Sequence, residues 1–144
     1  MTIAAILKQK GPHVVHVDPV TRVDDIALLL SRRKIGAVLV LDSAGSLLGI
    51  VSERDIVQKI ASDGAQALEM TAAQLMTQNI TTATPATKVD QAMAMMTTGR
   101  FRHLPVVDGG VLVGIISIGD VVKRLIEDKS HEVDSLKAYV AGAA

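Results

Sequence analysis

The sequence predicts an α+β fold made of two copies of one β-α-β-β-α unit, packed about an approximate two-fold axis. Three observations carry that reading. The heptads "GIVSERD" (49–55) and "GIISIGD" (114–120) are near-copies of each other. Upstream of them, Pro19, Thr21, Val23 and Asp24 match Pro85, Thr87, Val89 and Asp90 at an offset of 66, and Val40 and Asp42 match Val106 and Asp108 at the same offset. Downstream, Leu47, Gly49, Ile50, Ser52 and Asp55 match Leu112, Gly114, Ile115, Ser117 and Asp120 at an offset of 65. The residue lost between the two offsets falls in a turn, where a duplicated unit tolerates a change in length best. The copies run over 13–62 and 79–128. Residues 1–12 are read as an N-terminal helix, 63–78 as a connecting segment and 129–144 as a C-terminal helix.

Each copy opens on a short candidate strand, "VVHV" (14–17) and "NITTA" (79–83). "DPVTRVDD" and "TPATKVDQ" then start a helix. The proline bars helix before it, Thr21 or Thr87 is placed to cap, and Asp24 or Asp90 three residues on completes a capping box. Val23, Ile26, Ala27 and Leu30 form the apolar stripe of the first helix, and Val89, Ala92, Met93 and Met96 that of the second, both at the i, i+3, i+4, i+7 spacing. Two apolar runs around a turn follow, "AVLVL-DSAG-SLLGIV" and "HLPVV-DGG-VLVGII", which read as hairpins with Gly and Asp in the turn. Both hairpins are apolar almost throughout, so both faces of each sheet are expected to be covered. A second helix opens at Ser52 or Ser117. One such copy has a marginal core by itself. Two copies bury their sheet faces against each other and leave two equivalent clefts.

Composition excludes several function classes. Fifteen basic residues balance fifteen acidic ones, whereas binding to long nucleic acid draws its affinity from a basic surplus. One Phe and one Tyr are too few for a surface that stacks single-stranded bases, so a bound purine is expected to lie mainly between aliphatic side chains and backbone. The absence of cysteine removes disulfides, thiolate metal sites and cysteine nucleophiles. No apolar run has membrane-spanning length and "MTIAAILKQKGP" lacks the features of a secretory signal, so a cytoplasmic protein is expected. His13, His16 and His131 lack metal-ligand spacing, and no metal site is assigned. No paired carboxylates, Ser/His/Asp set or phosphate-cradling P-loop is present, so the chain is read as non-catalytic.

The repeated heptad has its own chemistry. Ser52 and Ser117 are good N-cap residues, and Asp55 and Asp120 at the third helical position favour the positive helix end. A carboxylate at a strand-to-helix junction on a cleft can also accept hydrogen bonds from both hydroxyls of a ribose. The adjoining helix N-terminus can face phosphate.

Two β-α-β-β-α units, each ending its hairpin in G-h-h-S-x-x-D, resemble a pair of CBS domains (a Bateman module), the CBS domain being named after cystathionine β-synthase. The resemblance covers nearly the whole chain. "GIVSERDIV", "RHLPVVDGGVLVGIISIGDVVK" and the final "LKAYV" are most similar to small stand-alone bacterial CBS-pair proteins. It implies tandem CBS domains that dimerise into a flat disc and take adenosine-containing ligands in their clefts: AMP, ADP, ATP, NAD or S-adenosylmethionine. It implies that Asp55 and Asp120 hold the ribose, beside the caps Ser52 and Ser117. Adenine selectivity is then expected from backbone hydrogen bonds at "HVVHV" and "NITTA", which nominates His16 and Thr82.

The chain departs from the family pattern immediately before each Asp, where a hydroxyl residue is common: here stand Arg54 and Gly119. Arg54 either reaches a phosphate or is a solvated helix-surface arginine. Arg102 and His103 open the hairpin of the second copy, where family members often carry basic residues facing phosphate; the first copy has Gly36 and Ala37 there. His103 is alternatively a strand histidine with no ligand. Arg102 is expected in the cleft of Asp120, and the two clefts are expected to differ in size and charge. CBS pairs also occur inserted in inosine monophosphate dehydrogenase, but that enzyme's catalytic barrel exceeds 144 residues and its nucleophilic cysteine is absent. The expected function is a regulatory sensor of adenine nucleotides or energy state, acting through dimer shape or an unidentified protein partner. The alternatives are a structural or interaction module with unoccupied clefts and, disfavoured by charge, a nucleic-acid binder.

Overall fold

The duplication is written into the hydrogen bonds of the computed structural model, which describes residues 1–11 and 13–143. Pro12 and Ala144, the ends of the expected terminal segments, lie outside the described residues. The order is α1 (Ile3–Lys10), β1 (His16–Val17), α2 (Val23–Arg33), β2 (Ala37–Leu41), β3 (Leu47–Ser52), α3 (Glu53–Asp63), a 3₁₀ segment (Gly64–Glu69), α4 (Ala72–Leu75), α5 (Val89–Gly99), β4 (His103–Asp108), β5 (Val111–Ser117) and α6 (Ile118–Ala143). In the first copy β1 pairs parallel with β2, and β2 antiparallel with β3. In the second copy β4 and β5 form the hairpin. Both hairpins carry a register shift at the same place, between Val40 and Leu41 and between Val106 and Val107. Gly45, Gly109 and Gly110 turn them with positive φ.

The strand expected at 79–83 contracts to a single parallel bridge, Ala83 with Val106, the counterpart of Val17 with Val40. The cause is one proline. In the first copy the Leu39 amide donates to the Val15 carbonyl. At the matching place in the second copy stands Pro105, which has no N–H to give.

The caps of α2 and α5 also differ from expectation. The helices begin after Arg22 and Lys88, and Thr21 donates to Asp18 instead of capping. Asp24 is held by Arg22 at 3.0 Å. The threonine carbonyls serve other partners: Ala72 N donates to Thr21 O, and Ile3 N to Thr87 O.

Those bonds belong to a set of three repeated in each copy. Ala72, Ala73 and Val23 amides donate to Thr21, Pro19 and Met70; Ile3, Ala4 and Val89 amides donate to Thr87, Pro85 and Met1. So α1 stands to the second copy as α4 stands to the first, and the likeness of "MTIAAIL" to "MTAAQLM" at an offset of 69 is its trace in the sequence. Each core is completed accordingly. Val17, Val23, Ile26, Val38, Val40, Val51 and Ile56 pack with Ala72 of α4. Val89, Ala92, Met96, Leu104, Val106, Ile116 and Val121 pack with Ile3 and Ile6 of α1. The heptad glycines make room for this exchange: a Cβ on Gly49 would lie 2.5 Å from Met76, and one on Gly114 2.6 Å from Leu7.

Both sheet faces are covered. Val38 and Val40 enter the first core, while Ala37 and Leu39 on the opposite face are buried too. The helix that opens after Ser117 runs on through the expected C-terminal helix as one element, α6. Its stripe of Val133, Leu136 and Val140 is exposed on this chain.

Candidate functional site

Strand β3 runs into α3 with no loop, and β5 into α6 likewise. That continuity puts each Ser-x-x-Asp at a sheet edge. Ser52 Oγ accepts from Asp55 N at 3.2 Å while Asp55 Oδ2 accepts from Ser52 N at 2.9 Å. The second copy repeats both bonds, Asp120 N to Ser117 Oγ at 3.1 Å and Ser117 N to Asp120 Oδ2 at 2.8 Å. Each helix start is tied to the head of its hairpin, with Glu53 N donating to Gly36 O and Ile118 N to Arg102 O. The serines and aspartates are thus capping boxes, and each carboxylate is held part-exposed with capacity to spare.

A cavity of about 430 Å³ opens beside Asp55 and draws on both copies. The first copy lines it with Gly36, Ile50, Ser52, Glu53 and Arg54, the second with Asn79, Ile80, Arg100, Phe101, Arg102 and His103. Three arginines and a histidine thus share the cavity lining with Glu53 and Asp55. This is a place for an anion with hydroxyl groups. Gly36 leaves space for the His103 ring, since a Cβ there would come 3.0 Å from it. Burial, and then the Lys10 ammonium, hold the His103 imidazole below its ordinary range; Arg102 adds to this, and Glu53 and Asp120 oppose it. His103 is thus neutral at pH 7, with one donor and one acceptor nitrogen.

The matching place in the second copy is differently furnished. Lys10 Nζ donates to Asp120 Oδ2 at 2.8 Å and to the Ile115 carbonyl at 2.9 Å. Burial works against ionisation of Asp120, but the Lys10 hydrogen bond and charge and the Ser117 bonds outweigh it and lower its pKa.

The expected site residues divide between these places. Ser52, Arg54, Asp55, Arg102 and His103 line one cavity. Arg102, expected beside Asp120, is therefore found in the cavity of Asp55, because the two hairpin heads meet across the pseudo-axis. Ser117, Gly119 and Asp120 gather at the start of α6. Ala37 is buried in β2 next to Gly36. His16 is exposed, its Nδ1 3.3 Å from the carbonyl of Val14, and Thr82 is exposed just before the Ala83 bridge. None of these last six lines the cavity.

Arg100, Phe101 and Asn79 were not singled out from the sequence. Phe101 gives the cavity an aromatic wall where mainly aliphatic side chains and backbone are expected. Arg100 ends α5 in the left-handed conformation, φ 57°, as Lys34 ends α2 at φ 54°. A glycine adopts that geometry without strain, yet Gly99 stands one residue earlier, where a Cβ would collide with the Phe101 ring. The available signal was the repeat itself, since Lys34 and Arg100 stand 66 residues apart, each two residues before its hairpin head. Among the described residues there is no cluster of potential metal ligands and no helix long and apolar enough to cross a membrane.

A family model described as "CBS domain" matches residues 10–62 and 72–127. A solved CBS-domain containing protein from Agrobacterium tumefaciens is 44% identical, with a TM-score of 0.84 over 86% of this chain and 98% of that one. The mitochondrial CBS domain-containing protein CBSX3 of Arabidopsis thaliana is 32% identical over 98% of this chain and 72% of its own length. Other curated relatives are longer, and the chain spans 22% of two of them. Two solved relatives hold ligands. A CBS domain protein from Pyrobaculum aerophilum, complexed with AMP, is 25% identical with a TM-score of 0.73 over 83% of this chain and 89% of that one. The CBS domain pair of protein MJ0100, in complex with 5'-methylthioadenosine and S-adenosyl-L-methionine, is 25% identical with a TM-score of 0.77 over 90% and 98%.

Proposed function

The chain belongs to the CBS-domain family, and from that membership we propose that it is a cytoplasmic, non-catalytic sensor that binds an adenine nucleotide in the cavity beside Asp55. The observation that carries the reading is the cavity's furnishing. A fixed carboxylate for a ribose diol stands with three arginines for phosphate and a Phe101–Ile50–Ile80 wall for a base. Relatives solved with AMP and with S-adenosylmethionine support the adenosine class. AMP is the first candidate, and the arginines extend the choice to ADP, ATP or NAD. The test is direct. Purified protein is denatured and its released small molecules are identified by mass spectrometry, then AMP, ATP, NAD and GMP are titrated by calorimetry. An adenine ligand with GMP much weaker supports the reading. Equal affinity for AMP and GMP, or no binding, overturns it.

Arg100 supplies a first prediction. Its left-handed backbone costs about 1 kcal/mol that a glycine would not pay. Arg100→Gly is therefore expected to raise stability by roughly that amount in urea denaturation while weakening phosphate-bearing ligands. A variant that is stabilised and binds unchanged removes Arg100 from the phosphate site.

A second reading, as an interaction module, has an observation of its own. Leu136, Tyr139 and Val140 are 64%, 75% and 61% exposed on the distal half of α6. A stripe of this kind needs a cover. We expect a homodimer in which the stripe is buried, with any protein partner acting through that assembly. Light scattering should give twice the chain mass at micromolar concentration, and Leu136→Glu should return it to the monomer mass. A monomer mass for the wild-type chain rejects the dimer.

A further inference from the structure

We propose that Lys10 is a built-in competitor for the second cleft: its ammonium engages the Asp120 carboxylate, so that each chain offers one open adenosine cleft, at Asp55, and a weaker one that opens only when Lys10 is displaced. The inference rests on the adenosine reading above and concerns the stoichiometry and selectivity of the same pair of clefts.

The two copies supply the comparison. The offset of 69 that aligns Met1–Thr2 with Met70–Thr71 sets Lys10 opposite Asn79. Asn79 lines the open cavity as a neutral amide, and among the described residues Asp55 forms no ion pair. At the edge of that copy the Ile50 carbonyl is taken by the Thr77 amide at 2.9 Å. At the edge of the other copy the matching carbonyl, Ile115 O, is taken by Lys10 Nζ at 2.9 Å, and the same nitrogen reaches Asp120 at 2.8 Å. One side chain thus replaces a backbone bridge and also engages the repeated aspartate. A ligand hydroxyl arriving at Asp120 must compete with a charged donor already in place.

The contact is built to yield. Its partners are 35% and 25% exposed, so a displaced ammonium returns to water at little cost. A partly exposed pair of this kind lowers affinity at Asp120 by roughly two- to fivefold.

Two reciprocal variants test this. Lys10→Met keeps the apolar stem and removes the charge; Asn79→Lys installs the same competitor in the first copy. Calorimetry with AMP should resolve two classes of site in the wild-type chain. Lys10→Met should tighten the weaker class by roughly two- to fivefold, and Asn79→Lys should loosen the tighter one. A readout without ligand accompanies them. His103 lies between Lys10, Glu53, Asp120 and Arg102, and its titration by proton NMR, assigned through His103→Gln, should move up in Lys10→Met. Two equal sites in the wild-type chain, a weaker class unmoved or loosened by Lys10→Met, or an unmoved His103 each overturns the competitor role alone. Absence of AMP binding in the wild-type chain and both variants overturns the adenosine reading and the competitor role with it.

Discussion

Asp55→Asn is expected to weaken adenine-nucleotide binding at the open cleft by roughly ten- to hundredfold while leaving the free protein folded. Asparagine keeps the shape and one carbonyl oxygen, so Ser52 N retains an acceptor and the helix start retains its cap. What goes is the charge and one of the two acceptors offered to a ribose diol. A lost charge-assisted hydrogen bond costs about 1.5–3 kcal/mol, which is that range of affinity. Thermal denaturation gives a second measure. At about one hundred times its dissociation constant a ligand adds about 2.7 kcal/mol of apparent stability to the wild-type chain. At the same concentration the variant should gain far less. Asp120→Asn should lose less overall, because the Asp120 carboxylate already spends an oxygen on Lys10. Should Asp55→Asn bind as the wild-type chain does, the repeated heptad is architecture alone.

How legible the fold and site were depends on where each signal is stored. The hairpins, the first-turn aspartates and the capping serines are local, because a strand ending in Ser-x-x-Asp determines its own continuation into helix. They read correctly from the heptads. The failures all involve a partner far away in sequence. Thr21 looks like a cap until Ala72 claims its carbonyl. "NITTA" looks like a strand until Pro105, two dozen residues on, is seen to lack the amide it needs. Arg102 looks like a neighbour of Asp120 because both sit in the second copy, but the hairpin heads meet, so that the cleft beside Asp55 is furnished by both copies. The pairing of α1 with α4 was written in "MTIAAIL" and "MTAAQLM", yet the short alignment lies outside the regions where offsets of 65 and 66 made the repeat obvious. A duplicated chain whose copies lend each other segments hides most of its site from a reading made one copy at a time.

That exchange sets the prediction with the largest expected effect on stability. Ile3→Ala should destabilise the protein by about 2–5 kcal/mol, the cost of removing a buried branched side chain and leaving a cavity. Ile3 is 0% exposed and packs among Leu104, Val106, Ile116 and Val121, a hundred residues downstream. The counterpart of Ile3 in the first copy is Ala72, also 0% exposed, so the substitution places an alanine where the other copy already has one. It is not thereby benign. The second core is shaped around isoleucine at this position, and close packing leaves little scope for collapse. Against a total stability of about 5–15 kcal/mol for a domain, the loss should appear as a large shift in the urea midpoint. Amide exchange should localise it. Protection should fall at Leu104, Val106 and Ile116 and hold at Val38, Val40 and Val51, whose core contains α4 instead of α1. If Ile3→Ala costs under about 1 kcal/mol, or if protection falls equally in both hairpins, then α1 is an appendage rather than a wall of the second core. Lys10, at the far end of the same helix, would then lose the scaffold that holds it over Asp120.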